Sequence, residues 1–422
     1  MRKKPDIMAT PLDNLRVLFC SPALSFQADS PYSTRFRARG MAAAGLDVTV
    51  FGLHEAFPLV EPNLGLPYRS LAGMVKPTTA RRLTWWHSHG GNVFRFLVEP
   101  LLMMIGAARF AVRERMDICF IADAEPCVAT AFLLWARVVR LGIPLACYIP
   151  MNYGNWPATK GNTLRTRLRN LINYRLSRYL PRFMHVIATS RQVLTELGMS
   201  GMARTCVVPE GHEDLSGIRS KTSARAALEL PLEPRMVLLF GVASHVKGAD
   251  LLFKALEQVP PEFLVCVVGK TGDVYLPSWG DTSRLSRNGW GDRIRQVSRF
   301  VSATEMQDYY AACDAVVIPY RQGFAGTSGT LRTASEYGKA IIACDQHFIG
   351  ERVRQWQLGL TFRTEDVQSM AAALRKFAAK PDSWFTEIAE RSRSLVKVES
   401  WEAGGRMYRQ LFEDMVIQKK TC

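Results

Sequence analysis

Lys247 is the first side chain with a chemical use. It stands in LLFGVASHVKGADLLFKALE (238–257), where an apolar run closes at Gly241, a polar segment carries His245 and Lys247, and Gly248 opens a helix-like stretch. A lysine at the carboxyl edge of a strand is a mobile point charge suited to a phosphate. A second segment, GFAGTSGTLRTASEYGKAIIACD (323–345), sets Gly326, Thr327, Ser328, Gly329 and Thr330 between the apolar AVVIPY and a helix-like stretch from Leu331 to Tyr337. Unpaired N–H groups and the dipole at a helix start favour an anion, glycines permit close backbone approach, and the hydroxyls add donors. Together the two segments read as a seat for a diphosphate; the second alone is equally well read as a Ser/Thr helix cap.

Two carboxylates, Asp123 and Glu125, close the apolar run of IADAEP (121–126). At the carboxyl end of a sheet they suit general-base work on a hydroxyl, or else Asp123 caps a helix with Pro126 in its first turn. His245 beside Lys247 is placed for a phosphate or sugar and His212 lies in the central polar stretch; both are also ordinary loop residues. WWHSHGG (85–91) holds an H-x-H without a nearby Cys or carboxylate, a poor metal site, and no D-x-D motif stands out. No metal ligands are assigned.

These residues need elements to position them, and the chain supplies an alternation. Apolar runs at 15–20, 47–53, 117–123, 143–150 and 185–190 read as strands, with helical patterns at 33–45, 125–142, 164–183 and 191–198 between them. After the polar stretch 209–235 the rhythm restarts: strands at 236–244, 263–270 and 315–320, helices at 249–259 and 303–314, and a last long helix at about 401–417. Strands alternating with helices of this length indicate parallel sheets covered on both faces. In such sheets ligands bind outside the carboxyl ends of the strands.

The 422 residues, 48% of them apolar, suffice for two or three cores, and low-complexity tracts are absent. Nine cysteines scatter without C-x-x-C pairs, a pattern of free thiols in a reducing compartment. The start, MRKKPDIMATPLDNL, lacks the apolar run of a signal peptide, and the most apolar window, 93–112, is interrupted by Arg95, Glu99, Pro100 and Arg109. No transmembrane helix is expected. The net charge of +16 is uneven: residues 1–205 carry 26 Lys and Arg against 12 Asp and Glu, residues 206–422 carry 28 against 26. The first half therefore suits an anionic partner, or is a solvated basic surface.

On the residues quoted above, the chain resembles the retaining, family-4-type glycosyltransferases of the two-Rossmann-domain (GT-B) fold. Gly241, Lys247, Gly248, Asp250, Leu251, Leu252, Ala255 and Leu256 match their G-R-x-x-x-x-K-G-x-D-x-L-L-x-A-L stretch. Pro319, Tyr320, Ser328, Gly329, Leu331, Ala334, Gly338, Lys339, Ile342 and Ala343 match a later one, P-Y-…-S-G-x-L-x-E-A-x-x-x-G-K-P-V-I-A. VVPEGHED (207–214) and YYAACDAVVIP (309–319) resemble two further stretches. The likeness covers most of 15–417 and is strong over 236–345. Departures are specific: Val242 stands where the family has an Arg near the donor phosphates, Thr333 where a Glu holds the nucleotide ribose, Ala340 where a Pro follows Gly-Lys, and Tyr148 where a His ends an N-terminal strand. Gln322 lies nearest the position of a further family Glu. Glu336, near Thr333 on the same helical face, either replaces the missing carboxylate or is a solvated helix residue.

The resemblance implies an α/β protein with two Rossmann-like doubly wound domains facing across a cleft. An acceptor domain would span 1–208, a nucleotide-sugar domain 209–398, and a C-terminal helix 399–422 would pack back on the first. It implies transfer, with retention and without a resident metal, from a UDP-sugar, or a GDP-sugar, to a polysaccharide or lipid-linked acceptor. Lys247 and the loop 326–330, with Gly241, Thr333 and Glu336, would hold the donor, and Asp123, Glu125, His245 and Lys247 would serve the reaction. The expected setting is cytoplasmic, at the inner face of the membrane. Trp85, Trp86, Arg81, Arg82 and the Arg-rich stretch 165–182 would meet an anionic leaflet. Nucleic acid is not an expected partner, since no recognised binding module is present; a basic nucleic-acid-binding protein is the weaker alternative that the charge of the first half supports. A non-catalytic sugar-nucleotide binder is the alternative that the departures favour.

Overall fold

The structure is a computed structural model, and it describes residues 14–21, 30–52, 65–75, 98–122, 126–149, 164–215, 217–272, 276–322, 324 and 326–421. These form two compact units. The first holds the described residues up to Gly211 together with Trp401 onwards, and the second holds His212–Ser400.

The first unit is a seven-stranded sheet. Its strands are β1 (Arg16–Cys20), β2 (Asp47–Gly52), β3 (Tyr68–Ser70), β4 (Ile118–Ile121), β5 (Leu145–Ile149), β6 (His185–Ala188) and β7 (Thr205–Val207). All pairings are parallel, in the order β3-β2-β1-β4-β5-β6-β7. Helices α1 (Ser30–Ala43), α2 (Glu99–Arg113), α3 (Pro126–Val138), α4 (Leu164–Ser177) and the short α5 (Arg191–Glu196) connect them. Runs such as ICFI are buried along their whole length, as strands covered on both faces must be. One apolar cluster joins Leu18, Met103, Phe132 and Val186, another joins Phe19, Met41, Phe120 and Ile187.

The second unit repeats the plan. Strands β8 (Met236–Phe240), β9 (Leu264–Val268), β10 (Ile294–Val297), β11 (Ala315–Ile318), β12 (Ala340–Cys344) and β13 (Gly359–Phe362) pair in parallel in the order β10-β9-β8-β11-β12-β13. Its helices are α6 (Lys221–Ala227), α7 (Ala249–Leu256), α8 (Ala303–Ala312), α9 (Gly329–Glu336), α10 (His347–Gln355), α11 (Val367–Ala378) and α12 (Asp382–Val398). In both sheets the strand order reverses beside the first strand of the unit, between β1 and β4 and between β8 and β11. Parts of the motif segments are purely structural. Asp314 accepts from the Met236 amide at 2.8 Å and pairs with the buried Arg225 at 3.0 Å. Lys339 donates to the Ala311 carbonyl at 2.9 Å, and Gly338, at φ +63°, ends α9.

The last helix, α13 (Trp401–Thr421), returns to the first unit. Tyr408, Phe412, Met415 and Val416 join the cluster that holds Phe19 and Phe120. The crossing with α1 is close because both helices offer glycine: a Cβ on Gly405 would lie 1.9 Å from the Gly40 carbonyl oxygen.

Candidate functional site

The site is built at the strand-order reversal of the second sheet. After β8 the chain turns through Gly241, whose φ of +129° suits only glycine. It passes Gly269 so closely that a Cβ there would lie 1.4 Å from the Gly241 oxygen. A 3-10 turn, His245–Lys247, follows, and Gly248 (φ +66°) enters α7 with its Cα face against the Pro319 carbonyl, 2.1 Å from where a Cβ would stand. Lys247 therefore sits on a fixed turn. Its ammonium donates to the Tyr320 hydroxyl and lies 4.2 Å from the centroid of that ring.

From the neighbouring strand, β11, the chain runs through Pro319 and Tyr320 to α9. The Tyr320 side chain is 2% exposed, and its hydroxyl also lies 3.3 Å from Ser328 Oγ and 3.2 Å from Thr330 Oγ1. Ser328 caps α9, accepting from the Leu331 amide at 3.2 Å. The helix begins at Gly329, two residues earlier than the polar pattern suggests, so Gly329 and Thr330 form its first turn, where amides have no intrahelical acceptor. A Cβ on Gly329 would meet no described atom within 4 Å apart from its chain neighbours and its own helix backbone. Lys247, Tyr320, Ser328 and Thr330 are thus one cluster of donors at the carboxyl ends of β8 and β11.

Arg321 locks the turn from below. It donates to the Asp250 carboxylate at 2.6 and 2.5 Å, to the His245 carbonyl at 3.0 Å and to Glu365 at 3.2 Å. Gln346 donates to the Tyr320 and Arg321 carbonyls at 3.2 and 2.7 Å. Sequence reasoning assigned Tyr320 no role in binding and passed over Arg321. Their signal, a Tyr-Arg pair directly after an apolar strand, has meaning only once its distant partners are known.

His245 is exposed beside Lys247, Val242 leaves no arginine at its position, and Thr333 lies on α9. Glu336 is not solvated. Its side chain is 3% exposed, accepts from the Glu213 amide at 3.0 Å and lies 3.6 Å from Arg332 Nε. The polar surroundings of Glu336 in sequence suggest exposure; burial against the segment 212–214 overrides them. Gly326 and Thr327 precede the cap. Asp123, Glu125, Trp85, Trp86, Arg81 and Arg82 lie outside the described residues. Tyr148 is buried in β5 with the Arg37 guanidinium over its ring at 3.6 Å. Among the described residues no group of three or more His, Cys, Asp or Glu is placed to hold a metal, and no helix is long and apolar enough to cross a membrane.

Residues 234–380 match the family model of Glycosyl transferases group 1. The D-inositol 3-phosphate glycosyltransferase of Thermobispora bispora is 23% identical over 265 residues, which are 56% of this chain and 61% of that protein. The chain thus spans about three fifths of the length of that curated relative. Sucrose-phosphate synthase from Thermosynechococcus elongatus superposes with a TM-score of 0.67 at 18% identity, covering 96% of this chain and 100% of that chain. The structure of HepE from Anabaena in complex with UDP gives 0.64 at 15% identity, over 95% and 100%. At these identities the likeness to solved structures is one of fold.

Proposed function

We propose that this chain, which has the two-Rossmann-unit GT-B fold and carries a Glycosyl transferases group 1 region, moves a sugar from a nucleoside diphosphate to a hydroxyl of a saccharide or lipid-linked acceptor, with retention. The observation that carries the reading is the convergence of Lys247, Ser328, Thr330 and the first-turn amides of α9 at one strand-order reversal. Open parallel sheets bind nucleotides at that point. When the bond between the anomeric carbon and the diphosphate oxygen breaks, its electron pair leaves with the diphosphate. A fixed cation and oriented N–H dipoles stabilise that charge as it develops. The acceptor oxygen bonds to the anomeric carbon, and its proton passes to a base.

Asp123 and Glu125 are the residues proposed for that proton, and His245 for a contact to donor phosphate or sugar. Thr333 is proposed for the ribose in place of the family Glu, while Glu336 holds the segment 212–214 beside α9. UDP is preferred over GDP as the nucleotide; the support is the likeness of fold to HepE, solved with UDP and with UDP-glucose. No resident metal enters the proposal. The acceptor is placed at the inner face of the cytoplasmic membrane, which gives the basic first half an anionic partner without nucleic acid.

Turnover of UDP-, GDP- and ADP-sugars, by hydrolysis and by transfer to a membrane extract, tests this reading. UDP-sugar turnover is expected. Tight UDP binding without any hydrolysis or transfer would instead establish a non-catalytic sugar-nucleotide binder, the reading that Val242, Thr333 and Tyr148 favour.

A further inference from the structure

The first sheet has a strand-order reversal of its own, between β1 and β4. Open parallel sheets take their ligands at such a point, outside the carboxyl ends of the strands. Side chains alternate between the faces of a strand. Ser21 therefore shares the face of Phe19, Ala122 that of Phe120, Tyr148 that of Ala146 and Thr189 that of Ile187. Phe19, Phe120, Ala122, Ala146, Tyr148 and Ile187 belong to one apolar cluster, so the face is the same for all. The ladder continues past the strand ends: Ser21 donates its amide to the Phe51 carbonyl at 3.2 Å, and Ala122 to that of Cys20 at 2.8 Å. In sheet order the row runs Ser21, Ala122, Tyr148, Thr189, a length of about 14 Å at the usual strand spacing.

The row is polar where the sheet behind it is apolar. Ser21 is fully buried and Thr189 is 2% exposed, and among the described residues neither hydroxyl has a hydrogen-bond partner. A buried hydroxyl left unpaired destabilises the fold, so its retention calls for a use. Arg37 reaches the row from α1. It is 3% exposed, and its guanidinium lies over the Tyr148 ring, 3.6 Å from the centroid. Stacking on the ring fixes the plane of the guanidinium fork, the geometry that suits a bidentate anion. Tyr148 is the residue that stands where the family has a His.

We infer that this row binds an acceptor that carries a phosphate, with the phosphate on Arg37 and Thr189 and the saccharide along Ala122 towards Ser21. The inference rests on the glycosyl transfer proposed above and names the chemistry of its acceptor. A phosphate has oxygens enough for the guanidinium fork and the Thr189 hydroxyl together, whereas a carboxylate uses both of its oxygens on the fork. Ala122 directly precedes Asp123, proposed above for the acceptor's proton. The excess of Lys and Arg in residues 1–205 favours the same charge on the ligand. A soluble sugar phosphate and the diphosphate of a lipid-linked saccharide present the same oxygens to the fork.

Calorimetry on the full chain, with UDP saturating so that the donor cluster is filled, tests the row. Glucose 6-phosphate and geranyl diphosphate are the phosphate probes, one for each source, with glucose and glucuronate as controls. At least one phosphate probe is expected to bind wild type about tenfold or more tightly than glucose, and Arg37→Gln to remove that advantage; the probe that binds identifies the source. Thr189→Val keeps the shape of the side chain and deletes its hydroxyl, so the melting temperature of the free protein should rise while phosphate affinity falls at least about threefold. A purely structural hydroxyl would give the rise without the fall, and that result would overturn the site even if Arg37→Gln did not fold. No preference for phosphate in wild type, or glucuronate bound more tightly than both phosphate probes, would overturn it as well. The same titrations on Lys247→Ala without UDP separate this inference from the donor reading. Phosphate binding that disappears with Lys247 would assign the anion to the donor cluster and overturn the row. Phosphate binding kept by Lys247→Ala, in a chain whose wild type does not bind UDP, would count against the donor reading and support the row.

Discussion

At the residue scale the account turns on one contact. Lys247 and Tyr320 are 73 positions apart in the chain, yet the ammonium and the phenol meet. The hydroxyl holds the cation towards Ser328 and Thr330, where the diphosphate oxygens are expected. Lys247→Ala removes the charge from a solvent-facing turn, so UDP affinity should fall at least about tenfold with the melting temperature unchanged. Tyr320→Phe keeps the ring against Phe324, whose centroid is 4.6 Å away, and deletes only the hydroxyl. Calorimetry should show a smaller loss, about threefold to tenfold; an unchanged affinity would free Tyr320 of the positioning role. Lys247, Gly241 and Ser328 were legible because strand, glycine and helix start are adjacent in sequence. Tyr320 and Arg321 were not, since their partners are distant. The solvated reading of Glu336 failed for the same reason: the amide that its carboxylate accepts from is 123 positions away.

At the element scale, the start of α9 does two things at once, capping a helix and presenting amides. The cap alone contributes about 1 kcal/mol, so Ser328→Ala should lower stability by that amount and also weaken UDP binding. Gly329→Val separates the two. A Cβ there would meet no described atom within 4 Å apart from its chain neighbours and its own helix backbone, so the fold should persist while diphosphate approach is blocked. A variant that binds UDP normally would place the nucleotide elsewhere. The alternation of apolar runs exposed the long central strands, but β3, β7, β10 and β13 escaped notice. They are three or four residues long and lie at or next to sheet edges, and several, such as IRQV, mix polar with apolar residues, so no continuous run marks them. The helices from 347 to 398 carry clear apolar faces but no motif that drew attention to them.

At the scale of the whole molecule, the chain passes between its units at 211–212 and again at 400–401. On the second unit's side of these passages His212 donates its amide to the Glu399 carbonyl at 2.8 Å, and Arg352 pairs with Glu399 through both carboxylate oxygens. Burial, then the charges of Arg352 and Arg332, push the His212 imidazole down to about 3. The folded state therefore binds fewer protons than the unfolded one. Its stability is full above about pH 6.5 and falls towards pH 3, by about 1.4 kcal/mol per unit from this group. His212→Gln should flatten the pH dependence of the denaturation midpoint between pH 6.5 and 4; identical slopes would contradict the assignment. Sequence alone placed His212 in a polar stretch and gave no sign of its burial, which depends on the parallel bridge to Ser400. The uneven charge, by contrast, was plain from composition.

The central claim is that a nucleoside diphosphate sits on Lys247 and the first turn of α9. Calorimetric titration with UDP and with uridine, on wild type and on Lys247→Ala, tests it most directly, with GDP and guanosine as a parallel pair. The account predicts that the diphosphate binds wild type at least about tenfold more tightly than its nucleoside, and that Lys247→Ala removes most of that difference while leaving nucleoside affinity unchanged. Equal affinities for nucleotide and nucleoside in wild type, or a diphosphate advantage that survives in Lys247→Ala, would contradict it.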